Sequence, residues 1–300
     1  MASLFSMSGA PGSLYESIRT SDHPSEQEAR ARIDRLWSSY RPFADRHFVQ
    51  EFRLRTHDRY WEMYLTCLLL SQDRQVECPK PKGPDILVID GNRSVWIEAV
   101  TASGGDDSNP DRVTEPERAA AFIYPEDQVV LRYRNSIDAK WSKYQVYQDE
   151  GIVSDRDAWV IAVHGAGVPL AWVDDDDVPR IVKALLPFGV ERATIDLATG
   201  AVVASDYEYR PAIARTSGSL VSTDLFLDPA FDLLSAVVFS GANISNAPAS
   251  DGEDLLLVHN PRARNPLPVG WLAAGREFYV QQTGDQYELR NLDHRHEGSG

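Results

Sequence analysis

The chain has 300 residues, of which 43% are hydrophobic and 25% are charged, a composition that is ordinary for a soluble globular protein. Its formal net charge of -15 argues against a broad, non-specific grip on nucleic acid, although a local basic channel is compatible with an acidic total. The two cysteines make no disulfide framework and no zinc knuckle. No segment predicts a signal peptide or a membrane helix. We therefore expect a cytoplasmic protein.

The N-terminal part of the chain predicts a loose segment followed by helices. Residues 1–24 are rich in Ser, Gly and Pro and predict a flexible arm, whereas residues 25–300 predict a single domain. The capping-box pattern that begins at Ser25 predicts a helix ending near Tyr40. A second helical region carries a broad apolar stripe, and Glu62 lies at the edge of that stripe.

The middle of the chain predicts alternating strands and helices. The predicted strands cover residues 75–78, 85–89, 94–100 and 159–163, with a shorter candidate at 129–133. A long polar loop is predicted over 101–125 and a helix over 134–150. This order of elements is typical of the mixed α/β class.

The C-terminal part, residues 166–300, predicts a β-rich elaboration. Its predicted elements are a helix over 178–186, a hairpin over 193–209, strands over 233–240 and 255–259, and a final pair of strands within 279–292. No repeat and no clear linker separates this part from the preceding one, so we expect the two to form one domain.

Two carboxylates on one predicted hairpin are the strongest candidates for chemistry. Two apolar runs flank Gly91 and Asn92, and Gly at the first position of a two-residue loop suits a type II′ turn. Counting outward from that loop sets Asp85 directly opposite Glu98, with the Cβ atoms about 5 Å apart on one face of the sheet. Carboxylates that close repel each other in apolar surroundings, so we expect a hard divalent cation between them.

The same segment resembles the PD-(D/E)xK nucleases. Pro84-Asp85, followed by Glu98 at the end of an apolar strand, is similar to the signature of that superfamily, and Glu62 matches an acidic residue that many members contribute from the first core helix. The resemblance covers residues 56–165. It implies an α/β fold with a restriction-endonuclease-like mixed sheet flanked by helices, to which this chain adds an N-terminal helical extension and the β-rich C-terminal part.

The resemblance also implies a metal site. Glu62, Asp85 and Glu98 would coordinate Mg²⁺ or Mn²⁺ with their carboxylates, and Ala99 would contribute its backbone carbonyl. Such an ion generates a metal hydroxide and stabilises the charge that develops on a phosphate under attack. The function implied is metal-dependent phosphodiester hydrolysis, with DNA as the favoured substrate and partner.

One departure from the signature concerns its lysine. The signature has Lys two residues after the acid, where this chain has Val100. Within the superfamily a neighbouring element supplies that lysine in some members, and the candidates here are Lys140 and Lys143, each followed four residues later by a tyrosine on the same helical face. This pattern resembles the Gln-xxx-Tyr helix of the RecB-like branch, with Lys in place of Gln. Lys80 and Lys82 are further candidates.

The residues leave two other functions open. A catalytically inactive binding module that kept the nuclease fold is favoured by Val100 and by the acidic total charge. A hydrolase acting on a small substrate is disfavoured because the chain has no Gly-x-Ser-x-Gly elbow. The oligomeric state stays open, a homodimer included, and no membrane partner is expected.

The remaining polar candidates favour structural interpretations. The acidic run at 174–177 predicts a solvated loop or a helix start, because acids are stabilised at helix N-termini. His259 predicts a packed strand-end histidine, and His294 and His296 belong to a polar tail in which a metal role is not expected.

Overall fold

The computed structural model of this chain describes residues 3–79, 82–117, 122–174, 176–284 and 286–295. Its helices are α1 Leu14–Thr20, α2 Pro24–Tyr40, α3 Phe48–Leu54, α4 Thr56–Ser71, α5 Glu126–Asp149 and α6 Arg180–Lys183. Its strands are β1 Gln75–Glu77, β2 Ile86–Asp90, β3 Arg93–Ser103, β4 Ala158–Gly167, β5 Phe188–Ile195, β6 Val202–Tyr209, β7 Ala212–Ala214, β8 Leu220–Ser222, β9 Leu234–Ser240, β10 Leu255–His259, β11 Arg276–Thr283 and β12 Gln286–Asp293.

Eight of these strands form one mixed sheet in the order β1-β2-β3-β4-β9-β10-β11-β12. Strands β3, β4 and β9 run parallel to one another, β10 is parallel to β11, and the other neighbouring pairs are antiparallel. The fold is therefore mixed α/β, as the sequence predicts. Strands β9 to β12 of the C-terminal part continue the sheet that the first four strands begin, whereas β5–β6 and β7–β8 form two separate two-stranded sheets.

Alternation along β3 distributes its side chains between two apolar clusters, one on each face of the sheet. Val95 and Ile97 join the cluster that contains α2 and α4, whereas Trp96 joins the cluster that contains α5. Successive strand residues point to opposite faces. Glu98, two residues after Trp96, therefore belongs to the α5 face, and that parity positions the candidate site.

The flexible arm predicted for residues 1–24 is replaced by packed structure over the part that is described. The side chains of Leu4, Tyr15 and Ile18 are buried, and the Tyr15 hydroxyl donates to the carbonyl of Leu4 at 2.8 Å. The aromatic ring of Phe52 on α3 contacts Tyr15. A few large apolar residues thus outweigh a polar, Gly- and Pro-rich composition, because burying them compensates for the entropy lost on ordering.

Three further predictions need correction. The strand candidate at 129–133 lies within α5, where a run of buried residues forms a helix that starts after Pro125. The helix predicted over 178–186 is four residues long. The helix predicted to start with Ser25 as its cap begins at Pro24, and the side chain of His23 accepts the capping hydrogen bond from the Ser25 amide.

Most predicted strands are confirmed. The hairpin predicted over 193–209 is formed by β5 and β6, and the strand predicted over 255–259 is β10. The predicted loop over 101–125 is shortened at its start, because β3 extends to Ser103. No helix in the described part of the chain is long and apolar enough to cross a membrane.

Candidate active site

The β2–β3 hairpin has the register that the sequence predicts. Five pairs are formed, from Asp90 opposite Arg93 at the turn to Ile86 opposite Ile97 at the far end. Gly91 has a φ of 63°, which a type II′ turn requires at its first loop position. The pairing ends one position before Asp85 and Glu98, because β2 begins at Ile86, and Asp85 instead reaches β3 through a side-chain hydrogen bond with the Ala99 N–H.

Asp85 lies just before β2, in an environment that disfavours its charge. Its Oδ2 accepts a hydrogen bond of 2.8 Å from the backbone N–H of Ala99. Burial, followed by the negative charges of Glu98 and Glu62, raises the pKa of Asp85 to about 6, although the ammonium of Lys140 acts in the opposite direction. A carboxyl group that is destabilised as an anion by two neighbouring carboxylates is well suited to accept a cation.

Glu98 is fully buried and is held by two lysines of α5. Lys140 Nζ donates to Glu98 Oε1 at 2.7 Å, and Lys143 Nζ donates to the same oxygen at 2.6 Å. The Tyr147 hydroxyl lies 3.5 Å from the second oxygen, Oε2. Helix α5 therefore packs across the sheet face that carries Glu98. Its lysines supply the ammonium groups that the apolar side chain of Val100 cannot supply.

The two lysines differ in exposure. The Lys140 side chain is 19% exposed and that of Lys143 is 49% exposed. Burial lowers the pKa of Lys143, but the hydrogen bond and the charge of Glu98 outweigh burial, and the net shift is upward. Lys140 lies deeper in the site, and Lys143 lies at its rim, where its ammonium also contacts the ring of Tyr147.

Glu62 lies on α4, and its carboxylate is buried rather than solvated. The Tyr40 hydroxyl donates to Glu62 Oε1 at 2.5 Å, and the Arg59 guanidinium donates to Oε2 at 2.6 Å. Arg59 also pairs with Glu51 and lies 3.7 Å from Asp45. The oxygens of Glu62 are therefore already bonded to Tyr40 on α2 and to Arg59 on α4, and Glu62 acts on Asp85 through its charge.

A cavity of about 720 Å³ opens beside Asp85. Asp85 and Pro84 form one wall. Arg46 and His47, which precede α3, and Arg59 on α4 are among the residues of the other wall. A cavity of this volume is large enough for a nucleotide-sized part of a substrate. Its mixed lining combines acids that suit a metal with cations that suit phosphate.

The fit of these residues to a divalent cation is partial. The charges of Asp85, Glu98 and Glu62 converge closely enough to raise the Asp85 pKa. Because the N–H and C=O groups of one strand residue face the same neighbouring strand, the Ala99 carbonyl lies on the side of Asp85 as well. Across the described residues, however, no group of three or more His, Cys, Asp or Glu side chains is arranged to hold a metal ion.

Other residues singled out in the sequence lie outside this site. Lys82 extends toward Glu150, at 3.8 Å, and Lys80 falls outside the described residues. Val100 packs against the apolar cluster on the α5 face, on the side where the signature lysine would lie. His164 is buried and stacks on Trp61, and burial lowers its pKa to about 3, so it is a structural residue.

The acidic run and the C-terminal histidines have structural partners. Asp174 is largely buried beside Arg180 rather than solvated, and Asp176 pairs with Lys183. His259 is packed at the end of β10, as predicted, and its Nε2 lies 2.8 Å from the buried carboxylate of Glu277. His296 falls outside the described residues.

Two residues of the site were not found from the sequence. Arg59 precedes Glu62 by three residues, a spacing at which side chains on one helix meet, so that contact had a sequence signal. Tyr40 had none, because it belongs to α2 and reaches Glu62 only through the packing of α2 on α4.

Comparison of the chain with protein families, with characterised proteins and with solved structures finds no match.

Proposed function

We propose that this protein is a metal-dependent nuclease with a restriction-endonuclease-like core, which hydrolyses phosphodiester bonds, of DNA by preference. The observation that carries the proposal is the contact of Lys140 with Glu98, a carboxylate close enough to Asp85 for its charge to raise the Asp85 pKa. Two acids and a lysine from three separate elements are the groups that the PD-(D/E)xK signature requires. Here the lysine comes from α5 instead of from the position of Val100.

The chain's own residues divide the chemistry between them. Asp85 and Glu98 would hold Mg²⁺ or Mn²⁺, with the Ala99 carbonyl beside them and Glu62 behind, and the ion would supply Lewis-acid stabilisation of the phosphate. Lys140, which donates to Glu98, would orient the attacking water and neutralise the charge that develops on the phosphate oxygens. Glu62, held by Tyr40 and Arg59, would add the negative potential that favours the cation.

The cavity beside Asp85 favours a nucleic acid over a neutral substrate. Arg46 and His47 line it, and they are suited to contact phosphate oxygens next to the bond that is cleaved. The net charge of -15 limits this grip to a local one. We therefore expect binding that weakens with added salt but involves few phosphates.

A catalytically inactive nuclease-fold module is the second candidate, and a specific contact favours it. Both lysines donate to the same oxygen of Glu98, so the carboxylate is neutralised without a metal. An arrangement in which lysines replace the ion would retain the fold and lose the chemistry. In that case the protein would bind a partner through this face without cleaving it.

The deciding experiment is a cleavage assay on plasmid and on single-stranded DNA, with Mg²⁺, with Mn²⁺ and with chelator. Asp85→Asn tests the site. Asp107→Asn, at a side chain that is 92% exposed in a distant loop, is the matched control. Cleavage that requires metal and Asp85 but not Asp107 supports the nuclease. A wild type that cleaves no nucleic acid under any of these conditions overturns it in favour of the inactive module.

A further inference from the structure

A second cavity, of about 600 Å³, shares no lining residue with the cavity beside Asp85. It is lined by residues that follow β4, end β9 and begin β11, among them Trp172, Gly241 and Arg276. Strand β11 is four positions from β3 in the sheet, which is roughly 19 Å at the usual spacing of neighbouring strands. This cavity is therefore independent of Glu98 and of the proposed nuclease function.

Arg276 contributes to this cavity a half-buried guanidinium group. It is half-buried at the start of β11, and its guanidinium contacts the ring of Phe278 at 5.3 Å. In the part of the chain that the structure describes, no hydrogen bond or ion pair to an acceptor is formed by its side chain. Burial, followed by the nearby charge of Arg295, lowers the Arg276 pKa. A half-buried cation of this kind costs stability unless an anion joins it.

Two further groups add hydrogen-bond donors to the cavity. Arg295 presents a second guanidinium, which is held from one side by Asp293. Asn246 also lines the cavity, and its Oδ1 accepts from the backbone N–H of Asn243 at 2.6 Å, so the amide nitrogen is the group of this side chain that remains to donate. Guanidinium pairs with an amide donor suit the oxygens of a phosphate.

The carboxylates around the cavity differ in how they are engaged, and they include Glu253, which is exposed. Both oxygens of Asp254 accept hydrogen bonds, from the hydroxyls of Tyr64 at 2.6 Å and of Ser240 at 2.5 Å. Asp174 lies 3.3 Å from the Arg180 guanidinium. The Oδ1 atom of Asp174 accepts no hydrogen bond among the described residues, so an anion would have to bind on the side of the cavity formed by Arg276 and Arg295.

Trp172 gives the cavity an aromatic wall. Its side chain is 58% exposed, although an indole ring is large enough that soluble proteins usually bury most of it. An exposed tryptophan that lines the same cavity as two guanidinium groups offers a stacking surface for a planar ring attached to the anion. Base stacking on aromatic side chains contributes about 1–3 kcal/mol per base.

We propose that this cavity is a binding site for a nucleoside 5′-phosphate, with the phosphate on Arg276 and Arg295 and the base stacked on Trp172. The cavity volume of about 600 Å³ accommodates a ligand of that size. The bound phosphate supplies the acceptor that Arg276 lacks. Arg276 is then maintained for binding at a cost in stability, a trade-off that ligand sites commonly show.

The test measures binding by calorimetry to the full-length chain, with AMP and UMP as probes and with inorganic phosphate, ribose 5-phosphate and adenosine as fragments. We expect both nucleotides to bind more tightly than any fragment. Arg276→Met should weaken nucleotide binding by roughly tenfold or more, the scale of a lost charge-assisted hydrogen bond. The same variant should melt at a higher temperature than the wild type without ligand, and Arg276→Lys should bind with intermediate affinity.

Two comparisons separate the parts of the proposal. Trp172→Ala should weaken nucleotide binding and leave the binding of ribose 5-phosphate unchanged. Arg192→Met, at a side chain that is 61% exposed on the β5–β6 hairpin, is the matched control and should bind as the wild type does. The proposal is overturned if neither nucleotide binds, if Arg276→Met binds as the wild type does, or if ribose 5-phosphate binds as tightly as AMP.

Discussion

Lys140 Nζ and Glu98 Oε1 lie 2.7 Å apart, although one residue belongs to a helix and the other to a buried strand on the far side of a long loop. The contact is made where the carboxylate is fully buried and the lysine side chain is 19% exposed. Removing both charges from water costs free energy, and the attraction between them offsets that cost only when the geometry of the pair is good. We infer that a pair retained at this depth has a role in the function of the site.

Removing Lys140 should impair cleavage without abolishing metal binding. We expect Lys140→Ala to lower metal-dependent DNA cleavage by roughly 10²-fold or more, the scale of a lost acid–base or water-positioning group. Single-turnover cleavage and metal-dependent melting measure the two effects separately. Lys143→Ala, at the more exposed lysine, is the control and should lose less. Equal cleavage by wild type and Lys140→Ala would show that this lysine has no catalytic part.

Returning the lysine to its position in the signature should compensate for the loss. Val100 belongs to the same face of β3 as Glu98 and packs against the α5-side cluster, so a lysine there would point toward the same carboxylate. The double variant Lys140→Ala/Val100→Lys should recover at least a tenth of wild-type cleavage, a rough expectation from the recovery of one positioning group. A double variant no better than Lys140→Ala alone, while still folded, would contradict the interchangeability of the two positions.

Metal binding should depend on pH through Asp85. Because its pKa is raised to about 6, the carboxyl group is largely protonated at pH 5 and ionised at pH 8. Added Mg²⁺ or Mn²⁺ binds the ionised form in the folded protein, so the increase in melting temperature should be small at pH 5 and grow toward pH 8. Asp85→Asn should remove most of the increase at pH 8. A metal effect that is the same in both proteins would place the ion elsewhere.

Without metal, the same shift has the opposite consequence for stability. The folded pKa of Asp85 lies above its ordinary value of 3.8, so ionisation destabilises the folded state as the pH rises from 3.8 through about 6. We expect Asp85→Asn to unfold at a higher urea concentration than the wild type at pH 8, with the difference shrinking toward pH 4. The amide oxygen of Asn retains the acceptor for the Ala99 N–H. A lower urea midpoint for the variant at pH 8 would contradict this prediction.

Glu277 should stabilise the C-terminal part of the sheet at neutral pH. Burial raises its pKa, but the hydrogen bond with His259, at 2.8 Å, and the N–H of Gly270, at 2.7 Å, outweigh burial and lower it. This contribution is present above pH 4.5 and is lost as the pH falls through the folded pKa. Glu277→Gln should therefore lower the urea midpoint at pH 7, with a difference from wild type that shrinks below pH 4.5. A difference independent of pH would show a purely steric role.

Local patterns in the sequence were sufficient for the β2–β3 hairpin and its register. The two-residue loop at Gly91 fixes which residues pair, and the apolar alternation fixes which face is buried, so both properties depend on neighbours within the hairpin. The same holds for the β5–β6 hairpin and for β10. Secondary structure that depends on short-range periodicity is encoded where it forms.

The sequence failed where burial came from distant elements. The run at 129–133 has the residues of a strand but is helical, because it continues α5 and packs against the sheet. The predicted arm at residues 1–24 packs because Phe52 and its neighbours on α3 offer a surface for Tyr15. In both cases tertiary contacts override the local preference.

By itself, the sequence determined the α/β class, the pairing of the hairpin and the candidacy of Asp85, Glu98 and Lys140. Only the tertiary structure decided that Lys140 and Lys143 share one oxygen of Glu98, and that Tyr40 holds Glu62. It also brought Arg276 and Trp172 to one cavity. Such contacts join residues that are far apart in the chain, and the direction of each side chain follows from the packing of whole helices on the sheet rather than from local periodicity.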